Sequence, residues 1–335
     1  MPSADVRRID IHTHYLAAAL VSALESSSAR ARITSGPDGR MIEYGEGNVH
    51  PLLPTMIDID RQLEEMEEQA IDFALLSVNV PGVDWFEPDA GIAVAREVND
   101  ELVALVARHP QRLQALATLP MQAPEDAAAE LERAVGLGLP GAMVYSNAAG
   151  RALDGEEYEV VFATAARLDA PIMIHPTYPL SARLVDAYAL IPTIGFLFDT
   201  STAALRLILG GLYERHPDIK LILCHTGSLL PQIAGRIDYE ASRDPNGLGA
   251  ISVTPSEHIR RLYTDTVCVW PPAIRAALEL FGVDHMMFGT DYPFWEPRRT
   301  IDTLEAAGLS GAETEAIDRG TAERLFSFGS RIKDA

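Results

Sequence analysis

Eight short, almost continuously apolar runs alternate with stretches of helical period along the whole of this 335-residue chain, which predicts an α/β fold of repeated βα units. Several of those runs end abruptly in His or Asp, as strands do whose C-terminal ends converge on one face. Together these observations predict a (β/α)8 TIM barrel, with insertions after strands 1 and 5, folded as a single domain over residues 1–335. An open doubly wound sheet is the alternative.

The first strand is expected over residues 7–14 (RRIDIHTH). The insertion 15–54 follows it, and there Pro37-Asp38-Gly39 joins two strand-like pieces into an expected small hairpin over the active face. The second strand is expected over 73–79 (FALLSVN). Next comes a helix over 90–109, in which Ile92, Ala95, Val98, Leu102, Leu105 and Val106 recur every three or four residues until Pro110 stops it. The third strand spans 113–119. Pro124 then opens a helix at a first-turn position, and Gly136 and Gly138 stand at its expected end. Strands four to eight are expected over 141–146, 171–175, 220–225, 262–267 and 286–291. The second insertion, 177–199, carries Tyr178, Tyr188, Phe196 and Phe198. Both insertions leave the C-terminal end of a strand, so both are expected to wall or cover a pocket.

Composition narrows the function. With 27 Lys and Arg against 48 Asp and Glu the formal charge is −21, which argues against nonspecific binding to nucleic acid or to an anionic membrane. At 47% hydrophobic and 22% charged residues the chain can build a large core. No run is long enough to span a bilayer and no signal peptide is evident, so a cytoplasmic protein is expected. Cys224 and Cys268 are expected to be small buried residues in a reducing compartment, and the acidic stretch at Glu64–Glu68 a solvated helix face.

The polar strand ends carry the chemistry. His12 and His14 lie two residues apart on one strand and point to the same side. His175, His225 and Asp291 each close a later apolar run, and in a closed barrel all five would meet. Imidazoles with a carboxylate suit one divalent ion, Zn2+ first and Mn2+ next, with no organic cofactor. A second metal is not expected, because Tyr145 and Ser146 stand where a bridging ligand would be needed.

At these residues the sequence resembles the amidohydrolase superfamily, and within it the branch of aminocarboxymuconate semialdehyde decarboxylase and the hydroxybenzoate- and methylsalicylate-type decarboxylases. IDIHTH, DIDRQLEEMEEQAIDFALLS, IMIHP, LGGLYERHPDIKLILCHTGSLLPQIAGRID, LYTDT and MMFGTDYPF carry the resemblance in order. It implies that His12, His14, His175 and Asp291 bind the metal, that His225 is the acid/base, and that Arg236 reaches across a homodimer interface toward a substrate carboxylate. Two departures stand out: Val49-His50-Pro51 replaces an arginine before a proline, leaving His50 as a weaker anion donor, and CHTGS places Thr226 and Ser228 after the histidine.

The resemblance implies a mononuclear metal-dependent, non-oxidative decarboxylase acting on a small aromatic or unsaturated carboxylate. The alternative is a metal-dependent hydrolase of a lactone, ester or amide in which Asp291 and His225 shuttle the proton. A non-catalytic binding barrel is more remote. Phe294, Trp85 and Tyr178 are expected to line the pocket, with Tyr292, Trp295, Phe86 and Trp270 near it, and Arg236 or Arg40 to attract the anion.

Overall fold

Strands Arg8–His14, Ile71–Ser77 and Leu113–Ala115 pair in that order, every pairing parallel. A second run continues from Ala117–Thr118 through Ala142–Tyr145, Ile172–His175 and Leu221–Leu223 to Tyr263–Thr264, again parallel throughout. Leu113–Ala115 and Ala117–Thr118 form one strand interrupted at Leu116, whose N–H donates to Leu76 O at 2.8 Å while Ala117 N–H donates to Gly141 O at 2.9 Å. The ring closes through residues 286–291: Met287 N–H donates to Thr264 O at 2.9 Å, Ile11 N–H to Phe288 O at 3.0 Å and Asp291 N–H to His12 O at 2.7 Å. The chain thus folds as the (β/α)8 barrel that its alternation predicts. These features belong to a computed structural model that describes residues 8–26, 30–36, 39–244, 248–326 and 328.

The strands are shorter than the apolar runs, for identifiable reasons. The sixth ends at Leu223 because Cys224–Gly227 turns sharply, with His225 and Thr226 at φ 60° and 56°. The eighth makes only isolated bridges, Thr264 with Met286 and Thr13 with Tyr292. Its polar backbone is captured by a side chain instead: Asp10 accepts Thr290 N–H at 3.2 Å and the Thr290 hydroxyl at 2.5 Å. Gly289 allows this close approach, since a Cβ there would lie 2.9 Å from the Cβ atoms of both His12 and Asp265.

The helices follow their signals closely. Pro88–Arg108 buries Ala95, Val98, Leu102, Leu105 and Val106 against the strands, each large apolar side chain contributing about 1.5–3 kcal/mol. Pro124–Gly136 starts with proline in its first turn, where no N–H is needed, and Gly138 follows its end at φ +100°. No helix among the described residues is long and apolar enough to cross a membrane.

The insertions are more elaborate than expected. After helix Ala18–Ser26 the first forms a three-stranded antiparallel sheet, Ala31–Gly36, Gly39–Tyr44 and Asn48–Pro51, rather than a two-stranded hairpin. Its third strand pairs His50 with Ile42. The expected turn residues Pro37 and Asp38 lie outside the described residues, as does Arg7 of the first strand. The second insertion is partly helical: the turn Ile191–Gly195 runs directly into helix Phe196–Leu209. Asp199 ties it to the fourth strand by accepting from Ser146 Oγ at 2.5 Å, Asn147 Nδ2 at 2.9 Å and Leu180 N–H at 2.9 Å.

Candidate metal centre

The i, i+2 spacing on the first strand brings His12 and His14 to one point, their Nε2 atoms 3.2 Å apart. The fifth strand adds His175, with ring centroids 5.1 Å from His12 and 4.7 Å from His14. From the eighth, Asp291 Oδ1 lies 2.9 Å from His14 Nε2 and 3.5 Å from His12 Nε2. All four side chains are buried, and one ligand atom from each falls within 4.8 Å of the others.

The outer nitrogens determine what these inner atoms are. His12 Nδ1 lies 2.6 Å from Asp265 Oδ2, a carboxylate that can only accept. Ser77 donates its hydroxyl to Thr13 O at 3.3 Å and so accepts from His14 Nδ1 at 3.0 Å. His175 Nδ1 donates to Pro176 O at 2.8 Å, and its buried Nε2 has no partner among the described residues. Each Nε2 therefore presents a lone pair to the same point, beside a carboxylate. Burial also pushes His175 well below the ordinary histidine value, which keeps it neutral. Burial alone would raise Asp291, but the imidazoles of His14, His225 and His12 around it hold it well below the ordinary carboxylate value. Three imidazoles with oriented outer partners and a carboxylate fit one divalent cation.

His225 stands beside this set, its Nε2 3.4 Å from Asp291 Oδ2 and its Nδ1 without a partner among the described residues. It sits on a turn in which His225, Thr226, Gly227 and Ser228 all have positive φ, a sparsely populated conformation for three of the four. Asp265 accepts the backbone N–H of His225 at 3.0 Å and of Thr226 at 2.8 Å. Asp265 is not among the site residues expected from the sequence, because it falls inside the expected seventh run 262–267 and stands at a strand end only in the observed strand Tyr263–Thr264.

A cavity of about 940 Å³ opens above these residues, walled by His50, Asn79, Phe294, Trp270 and Thr226 among others. Phe294 packs edge-on to His14 at 6.0 Å and to His50 at 5.6 Å between centroids. Burial lowers the pKa of His50, so it meets the cavity as a neutral ring. Asn79, at the end of the second apolar run, also went unnoticed in the sequence: it is fully buried, its Oδ1 accepts Val80 N–H at 2.7 Å, and its NH2 has no partner among the described residues. Cys268, expected to be buried, is half-buried in the cavity wall.

The other expected substrate residues lie elsewhere. Trp85 packs behind Tyr44, which itself walls the cavity, and with Tyr178 and Arg30 lines a separate cleft of about 280 Å³. First-insertion residues thus stand between those two rings and the cluster of His12, His14, His175 and Asp291. Arg236 lies on helix Leu230–Arg243 with 78% of its side chain exposed, 3.8 Å from Glu240. Arg40 pairs with Glu25. No Arg or Lys among the described residues lines the cavity.

Comparison with known proteins fits this geometry. The sequence model of the amidohydrolase family matches residues 9–328. The chain is 35% identical over 297 residues to gamma-resorcylate decarboxylase of Polaromonas sp., covering 82% of this chain and 89% of that one. It is 28% identical over 302 residues to 2-amino-3-carboxymuconate-6-semialdehyde decarboxylase of Dictyostelium discoideum, covering 86% and 82%. Among solved structures, a dihydroxybenzoic acid decarboxylase from Polaromonas sp. JS666 with bound manganese and the inhibitor 2-nitroresorcinol superimposes with a TM-score of 0.81. That pair is 29% identical, over 96% of this chain and 97% of the other.

Proposed function

The chain belongs to the amidohydrolase family, and from its site we infer a metal-dependent, non-oxidative decarboxylase of small aromatic carboxylates. The observation that carries this reading is the pairing of a closed set of three imidazoles and a carboxylate with a free histidine 3.4 Å from that carboxylate. We assign His12, His14, His175 and Asp291 as the metal ligands and His225 as the proton carrier. Zn2+ and Mn2+ both suit the donors, and either would supply Lewis acidity toward the carboxylate or a neighbouring hydroxyl of the substrate.

The chain's own residues do the rest. Phe294 holds the ring of the substrate by its edge and face, and the Asn79 NH2 donates to a substrate oxygen. His225 Nε2 delivers its proton to the ring carbon that loses its carboxylate. The carbon–carbon bond breaks, its electron pair stays on the ring carbon and is taken up by that proton, and carbon dioxide leaves. Asp291 Oδ2 keeps the imidazole aimed at the site. This balance needs no electron acceptor.

Among the described residues no Arg or Lys lines the cavity to pair with a substrate carboxylate, while Arg236 projects from the following helix into solvent. We therefore propose a homodimer in which Arg236 of a second copy faces the substrate. The free thiols of Cys224 and Cys268 suit a reducing compartment, and we place the enzyme in the cytoplasm.

The test is carbon dioxide release by zinc- and manganese-loaded protein across hydroxybenzoates, methylsalicylates and muconate-type acids. Release from an aromatic acid that stops with a chelator and returns with metal is expected. Silence across the panel with metal bound, together with turnover of a lactone, ester or amide, would replace this reading with the hydrolase one.

A further inference from the structure

Asp265 closes the seventh strand with no exposed surface, and both of its oxygens are saturated. Oδ2 accepts from His12 Nδ1 at 2.6 Å and from His225 N–H at 3.0 Å. Oδ1 accepts from Thr226 N–H at 2.8 Å and from Val267 N–H at 3.0 Å. Consecutive amides in the left-handed turn at His225 and Thr226 point at one spot, a backbone nest that suits an anion, and this carboxylate fills it. Gly289 lets the eighth strand approach both side chains, since a Cβ there would lie 2.9 Å from the Cβ atoms of Asp265 and His12.

We propose that Asp265 is a positioning residue that couples the metal site to the proton carrier. One carboxylate sets the tautomer of His12 and holds the strained turn that presents His225. The proposal rests on the metal-dependent decarboxylase reading. The tautomer argument is one of valence: an acceptor on Nδ1 requires the proton there, which leaves the Nε2 lone pair free for a cation. The turn argument is one of compensation. His225, Thr226 and Ser228 hold a conformation that L residues rarely adopt, and two of the amides this conformation turns inward end on Asp265.

Asp265→Asn keeps the size and removes half the acceptors. Its amide can serve either the His12 and His225 side or the Thr226 and Val267 side, and the NH2 opposes N–H donors on the other. In the full-length variant, zinc affinity measured by competition with a chelator is expected to fall roughly 10- to 100-fold. At saturating metal, kcat is expected to fall at least about tenfold further with little change in KM, because the turn carrying His225 is loosened. A role confined to stability would lower the melting temperature while leaving metal affinity and saturated kcat of the folded protein unchanged, and that result overturns the proposal.

A measurement on the wild-type zinc-loaded protein does not depend on the variant's folding. Nitrogen-15 spectra of the histidines are expected to show three ligand rings protonated at Nδ1, one of them with its proton shifted far downfield by the carboxylate. Absence of that carboxylate-bonded Nδ1 proton also overturns it. The two readings separate cleanly. Loss of metal affinity in the variant, with no carbon dioxide from the wild type, sustains Asp265 and removes the decarboxylase. Active wild type with unchanged metal affinity and kcat in the variant does the reverse.

Discussion

Asn79 offers the sharpest test of how the substrate is held. Val80 N–H donates to its Oδ1 at 2.7 Å, which fixes the amide's orientation, since the flipped amide would set two donors against each other. The NH2 is then the only free end, it is fully buried, and the residue walls the cavity. If that group donates to a substrate oxygen, Asn79→Ala leaves the oxygen without its buried donor, at a cost of about 1–3 kcal/mol, or roughly 5- to 150-fold in kcat/KM. Asn79→Asp keeps the size and the bond to Val80 but sets lone pairs and, at pH 8, a negative charge against the same oxygen. Its loss is expected to exceed that of alanine and to pass about 100-fold. Initial rates of carbon dioxide release by the manganese-loaded variants, on whichever acid the wild type turns over fastest, give the ordering. The expected order is asparagine, then alanine, then aspartate, with metal content equal in all three. An aspartate variant as active as the alanine one, or an alanine variant as active as wild type, would refute donation from Asn79.

Three further outcomes follow from the same geometry. His225→Asn leaves the four ligands intact, so one metal per chain is expected to remain while kcat falls about 10²- to 10⁴-fold; retained turnover would remove His225 from proton transfer. If a second copy's Arg236 completes each site, equal mixtures of Arg236→Ala and His225→Asn protein, each nearly inactive alone, are expected to recover about a quarter of wild-type activity, because half the dimers are hybrids with one whole site. A mixture as inactive as its parts contradicts the shared site. Asp84 bears on stability: it is buried with Oδ2 unpartnered among the described residues, and burial raises its carboxyl from 3.8 to about 7. The folded protein then binds this proton more tightly than the unfolded chain, so the contribution is full below about pH 4 and is lost as pH rises toward 7, by up to about 4 kcal/mol. Asp84→Asn is accordingly expected to raise the melting temperature by an amount that grows from pH 5 to pH 8, and a difference independent of pH would contradict this.

The reach of sequence reasoning here follows from how a barrel is built. A strand end in a closed parallel barrel is placed by the run before it, so His12, His14, His175, His225 and Asp291 are legible one at a time and the closure brings them together. Asn79 and Asp265 obey the same placement without a signal of their own. What distinguishes them is the partner each lacks or holds, the orphaned NH2 in one and the saturated carboxylate in the other, and neither is a property of its own run. The walls are less legible still. Trp85 follows a strand as a pocket residue should, yet the first insertion folds Tyr44 and His50 in front of it, and that sheet depends on pairings such as Ile42 with His50 that lie outside the βα repeat. The eighth strand shows the same competition at the backbone. Its apolar run lies where the sequence places it, but Asp10 captures Thr290 and Gly289 yields to His12 and Asp265, so regular pairing gives way to contacts that seat His12 and Asp291. Regular structure gives way where it would compete with the clustered histidines and Asp291, and the departures from strand geometry at 224–228 and 286–291 therefore mark the candidate site as surely as the histidines do.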